Sequence, residues 1–186
     1  MNNLYGIVKN LLLSAALPLT FAFFAIGAVV ARQAPEPTQD EINHRVADIM
    51  ESTLQKGVGT TPEGVRYTIM NISPTLQEFR EIKKFGERAI PSLGNYLDSA
   101  DYRAQNVAVK LLGSIGGKAV IKLLTHGLVK CSSMAARAIA VANLAHQNWD
   151  DVAETIKWVA VNDPAPDVRK AAADLIAKHE SGAETR

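Results

Sequence analysis

A chain of 186 residues with 47% hydrophobic side chains has room for one modest domain and its core, with some chain to spare. A formal charge of +1 gives no long-range attraction to polyanions, so no nucleic-acid partner is expected. The single cysteine, Cys131, excludes an intrachain disulfide and zinc ligation by paired cysteines.

The first element is apolar. Leu11 to Ala31 is a run of 21 uncharged residues, preceded by a single charge at Lys9. A weakly basic start, an apolar centre and small residues at the end make the layout of an export signal, with Val29 and Ala31 suited to a cleavage site. The run is also long enough to span a bilayer, so residues 1–31 read as either a signal peptide or a retained membrane anchor. Either fate places the chain in the cell envelope: periplasmic or secreted if cleaved, single-pass and membrane-anchored if not. Lys9 and Arg32 flank the run evenly and set no orientation.

Residues 32–39, with Pro35 and Pro37 among polar side chains, read as an extended tether. Asp40 to Lys56 reads as a helix, with Ile42, Val46, Ile49, Met50 and Leu54 on one stripe and acids at its start. Val65 to Ile72 is rich in β-branched and aromatic residues; it is either a strand without a visible partner or an extended segment lying across helices. Together residues 40–75 form an N-terminal cap helix and an extended segment. Ser73 and Pro74 have the chemistry to open the next helix.

From residue 76 the pattern is helical and repeats about every 32 residues. Ile90, Leu93 and Leu97 align with Ile121, Leu124 and Leu128, then with Ala153, Ile156 and Ala160. A second helix follows each, carrying Val107 and Leu111, then Ala140 and Leu144, then Ala172 and Ile176. Gly86 and Gly117 suit helix ends that need positive φ, and Pro91 suits a first helical turn. Asp150 and Asp151, then Asp163 and Asp167, supply turn chemistry. Two helices per repeat predict an all-α fold, a short α-solenoid of about three helix pairs over residues 76–179. Residues 180–186 read as a flexible tail.

The stretches AIPSLGNYLDSADYRAQNVAVKLLGSIGG and DPAPDVRKAAADLIA resemble the HEAT repeat, and more narrowly the short HEAT-like subtype also found in phycobiliprotein lyases. The marks are an early proline in the first helix, an acidic turn and a Val-Arg pair opening the second helix, matched best by Asp167, Val168 and Arg169. The resemblance implies that Arg103, Arg137 and Arg169 pair with turn acids of neighbouring repeats, with Asp101 and Asp167 as the acids. It says little about function, because sites are grafted on folds.

No arrangement of side chains announces catalysis. His44, His126, His146 and His179 are scattered without HExxH spacing, no G-x-S-x-G elbow occurs, and Gly116-Gly117 lacks a dinucleotide-binding spacing. Residues 80–137 hold ten basic and four acidic side chains, which reads as a solvated helix surface. Cys131 reads as a small buried apolar residue in the turn of the second repeat.

The chain is therefore read as a non-enzymatic protein–protein interaction module, without catalytic residues, cofactor or metal. Its partner would lie on the face made by the second helices, where Asn106, Lys110, Asn143 and Lys170 are the candidate contacts. The competing reading is a lyase-like or ligand-binding accessory subunit. A shallow charged groove favours the first; a deep, polar, histidine- or acid-lined pocket favours the second.

Overall fold

A computed structural model describes residues 35–69 and 71–183. The apolar segment 1–31, the start of the tether and the last three residues lie outside them. Residues from Thr38 onward belong to one packed unit that is mostly helical.

Helix α1 (Gln39–Lys56) begins one residue before the expected Asp40 because Thr38 caps it. The Thr38 hydroxyl accepts from the Glu41 N–H, and the Glu41 carboxylate accepts from the Thr38 N–H, so two orphan donors are satisfied reciprocally. Ile42, Val46, Ile49 and Met50 are buried as the stripe requires. Beyond Gly57 the chain makes a hairpin of β1 (Val58–Thr60) and β2 (Arg66–Thr68), with Val58 opposite Thr68 and Gly59 opposite Tyr67. The extended segment thus has a strand partner, one too short and too glycine-rich to stand out in the sequence. A side chain at position 59 would collide with the Tyr67 ring, which lies across the glycine.

Helix α2 (Leu76–Phe85) is capped by Thr75, not by Ser73. Thr75 wins because Glu78 stands at the third helical position and closes a capping box with it. The same Glu78 carboxylate accepts from Ser52 Oγ and Lys56 Nζ, each at 2.8 Å, and so fastens α2 to α1. Burial pushes its pKa up, but the Lys56 ammonium, the Thr75 N–H and the two hydroxyls outweigh that and bring it from 4.5 to about 2. A carboxylate whose folded pKa is depressed stabilises the fold above its unfolded pKa and loses that contribution as pH falls. Acid titration of stability is therefore expected to show a loss of roughly 3 kcal/mol from this group between pH about 4.5 and about 2. Glu78→Gln should remove that part of the slope in urea melts taken at stepped pH.

The helix expected through Ile90, Leu93 and Leu97 is broken, while Gly86 ends the preceding helix as expected. Gly86, at φ +57°, ends α2, and a 3-10 turn (Gly86–Ala89), the short α3 (Ile90–Gly94) and a second 3-10 turn (Asn95–Asp98) follow. Pro91 has no N–H to return to the carbonyl four residues back, and the Ile90 N–H bonds to Glu87 in 3-10 fashion instead.

The remainder is α4 (Tyr102–Ile115), α5 (Lys118–Lys130), α6 (Met134–Leu144), α7 (Trp149–Asn162) and α8 (Pro166–Ala183). Gly116 ends α4 and Gly117 begins α5, both at positive φ, so the second glycine opens a helix rather than closing one. Asn148 caps α7, which moves Asp150 and Asp151 from the expected turn into the helix's first turn. Helix α8 runs through residues 180–183, which the sequence assigned to the tail.

Helices α5 and α6 pack as a pair, as do α7 and α8; α4, α6 and α8 touch in series, and so do α3, α5 and α7. Leu93, Leu97, Val107, Leu111, Leu124, Leu128, Ala140, Leu144, Ile156 and Ala172 are buried where the repeat places them. The first slot of the later repeats shifts by one. Val120 and Val152 are buried in place of Ile121 and Ala153, because the position four before Leu124 or Ile156 shares its helix face as well as the position three before.

Candidate functional site

The four residues expected on the binding face do not form one exposed surface. Asn106 is buried, and its Oδ1 accepts from Ser133 Oγ at 2.7 Å, holding the cap of α6. Asn143 donates from Nδ2 to the Val109 carbonyl at 2.9 Å and fills the space beside Gly113, where any side chain would overlap it. Lys110 is half-buried. Its ammonium donates to Asn71 Oδ1, the Ile72 carbonyl and Ser73 Oγ at 3.0, 2.7 and 2.8 Å, and burial pushes its pKa down. It ties the strap at residues 71–73 to α4 rather than facing solvent. Lys170 alone is exposed, paired with Asp174 at 2.6 Å.

The arginine ladder takes a different register from the expected one. Arg103 turns back on Asp101 in its own turn, at 2.7 Å. The position that recurs at a spacing of 32 residues is Gln105, Arg137, Arg169. Gln105 donates to the Ser99 carbonyl at 2.7 Å and accepts from the Ser133 N–H at 2.9 Å, which joins the first turn to the second. Arg137 donates to the carbonyls of Cys131 and Ser132 and, in fork geometry, to Asp163 at 2.8 and 3.1 Å, which joins the second turn to the third. Arg169 donates to the carbonyls of Asp163 and Pro164. Burial pushes the Asp163 pKa up, but Arg137 and the Ala165 N–H hold it below the ordinary carboxylate range. The acid of the ladder is thus Asp163, not Asp167. The signal in the sequence was register: a neutral Gln105 stands where the later repeats carry arginine.

Two other surfaces stand out. On the hairpin, Val65, Tyr67 and Ile69 alternate in sequence and so share one face, and they are 62%, 49% and 47% exposed. The turn from α6 to α7 and the end of α8 border an open cleft of about 580 Å³ lined by His146, Trp149, Leu175, Lys178 and His179 among others. The Trp149 and His179 rings stack there, with centroids 4.2 Å apart and planes 13° from parallel. The sequence treated these histidines as unrelated, since 33 residues separate them. His126 lies elsewhere, 3.4 Å from Asp98.

Cys131 is buried. Its thiol donates to the Leu97 carbonyl, and burial, with the nearby Asp98 charge, pushes its pKa up to about 11, so it packs as a small side chain rather than a reactive thiolate. Among the described residues no group of three His, Cys, Asp or Glu side chains is placed to hold a metal ion, and no helix is long and apolar enough to cross a membrane. Comparison with protein-family models, with curated proteins and with solved structures finds no match for this chain.

Proposed function

We propose that this chain is a protein–protein interaction module of the cell envelope without catalytic activity: a short α-solenoid of HEAT-like helix pairs, exported or tethered through residues 1–31. The stacking of α4, α6 and α8 behind α3, α5 and α7, with equivalent core slots filled in each pair, supports the solenoid. The uncharged run Leu11 to Ala31 supports the envelope location.

The observation that carries the binding role is the stripe of Val65, Tyr67 and Ile69. Three large apolar side chains at alternate positions along and just beyond β2, each about half exposed or more, mark an interaction surface better than scattered ones do. The face sits on a hairpin whose following strap is fastened to α4 by Lys110, so it is presented on a supported element. The contact surface is accordingly moved from the second-helix groove to the hairpin.

A photo-crosslinking residue at position 69 of the full chain, in intact cells, should capture one discrete protein, whereas the same residue at exposed position 157 on α7 should not. The paired substitutions Val65→Thr and Ile69→Thr in the crosslinking partner's pull-down should abolish recovery with unchanged helicity. Equal capture at both positions, or undiminished recovery, would place the partner elsewhere. Fractionation checks the location: deletion of residues 1–31 should leave the protein in the cytoplasm.

A further inference from the structure

The apolar stripe of the hairpin borders a strand edge that is open. The Ile69 N–H bonds to the Gly57 carbonyl at 2.6 Å, and the Thr61 N–H to the Val65 carbonyl at 2.9 Å. Hydrogen-bonded pairs alternate along an antiparallel ladder, so Tyr67 exchanges its bonds with Gly59 opposite it. The N–H and C=O groups of Arg66 and Thr68 therefore point away from β1, and they have no hydrogen-bond partner among the described residues. Strand β1 leans on α1, whereas every residue of β2 is exposed, so β2 is the outer strand. An open edge of this kind is a template for a further strand.

The side chains beside that edge say which strand fits. The pleat puts Val65, Tyr67 and Ile69 on one face and Arg66 and Thr68 on the other. On the β1 side the stripe meets Gly57 and Gly59, which offer no side chain, and the Tyr67 ring already lies over Gly59. Cover for Val65 and Ile69 must come from the open side. Their order is symmetric about Tyr67: aliphatic, aromatic, aliphatic. Antiparallel pairing with a second β2, Tyr67 opposite Tyr67, sets Val65 opposite Ile69 at both ends and makes an unbroken row of apolar pairs. On the other face it sets Arg66 opposite Thr68, and each such pair exchanges both backbone bonds. Neighbouring registers fit worse. One sets Arg66 against Arg66 and Ile69 against Glu63; the other sets Val65 against Asn71. Like charges directly opposite are unfavourable, while aromatic and aliphatic pairs are favourable.

We propose that β2 pairs edge to edge with β2 of a second copy of this chain, about a two-fold axis at Tyr67. The proposal rests on the reading of the hairpin as the binding surface and names its partner. The contact is isologous, with the same patch used on both copies. A strand this short buries little area, so the dimer is a reversible one.

The test traps that register in cells. The full chain is expressed with two different tags, one copy carrying Val65→Cys and the other Ile69→Cys, and the cells are treated with a mild oxidant. In the proposed pairing positions 65 and 69 are directly opposite, with Cα atoms about 4.5 Å apart and within disulfide reach, whereas the two copies of position 65 are about 13 Å apart. Co-expression should give a disulfide-linked dimer carrying both tags, at about tenfold the yield of either variant alone. The native Cys131 is buried and should not contribute. Adding Thr68→Glu to both copies sets a carboxylate opposite Arg66 and should speed trapping about fivefold; Thr68→Arg should slow it by a similar factor. Position 68 faces away from the stripe, so neither change alters the apolar pairs. No two-tag dimer, equal yield from either variant alone, or trapping blind to the charge at 68 would each overturn the pairing. If the pairing fails while the crosslinker at position 69 still captures a different protein, the hairpin keeps its binding role; failure of both would remove both readings.

Discussion

Asp163→Ala is expected to destabilise the protein by about 3–5 kcal/mol, because it leaves a buried guanidinium without its partner. The Arg137 and Asp163 side chains are only 8% and 1% exposed, and both fork hydrogen bonds run between them. Alanine at 163 strands the Arg137 Nε and Nη2 donors, and it also removes the acceptor of the Ala165 N–H that starts the turn into α8. The double replacement Arg137→Met, Asp163→Leu should recover only the part of that loss due to the stranded guanidinium, since the Ala165 N–H and the Cys131 and Ser132 carbonyls still lose their partners. A double-mutant cycle on Arg137→Met and Asp163→Leu in urea melts should return a coupling of at least about 1 kcal/mol. Additive single effects would mean that the fork is not a functional tie between the turns.

Leu111→Ala should cost about 2–5 kcal/mol through lost burial and the cavity it leaves. Leu111 is fully buried and stands on α4, which packs against α1, α2, α3, α5 and α6. The helix can therefore not shift to close the gap without disturbing several neighbours at once. Thermal melts would show the effect as a lowered Tm, with Lys157→Ala on the exposed face of α7 as the control. A shift no larger than that of the control would mean the α4 register is wrong. A Leu144→Ala variant at the equivalent slot of α6 should behave similarly, because the two positions are equally buried.

The candidate partner residues show where reading a face from one helix fails. Asn106 and Lys110 each stand one position before Val107 and Leu111, about 100° round α4 from them. What lies in that direction depends on other segments. Ser133, from the next turn, covers Asn106, and the strap at residues 71–73 covers Lys110. Neither contact has a local signature, since 27 residues separate the first pair and 38 the second. The cleft is similar: Trp149 and His179 meet only because α8 folds back along α7.

By itself the sequence determined the helical content and most of the core, and it carried the local signals from which helix ends are built. Those features depend on interactions within a few residues. Glu41 and Glu78 each find a capping threonine three positions before them, glycines at 86, 116 and 117 accept positive φ, and Leu93, Leu124 and Ile156 recur on one helical face. The tertiary structure alone decided which polar side chains face water. It made Arg137 and Asp163 a buried tie, turned Lys110 into a clamp, paired the short β1 with β2, and brought His179 onto Trp149 beside an open cleft. A polar side chain is satisfied by whichever group arrives within about 3 Å, and that group is supplied by the packing of distant segments rather than by its neighbours in the chain.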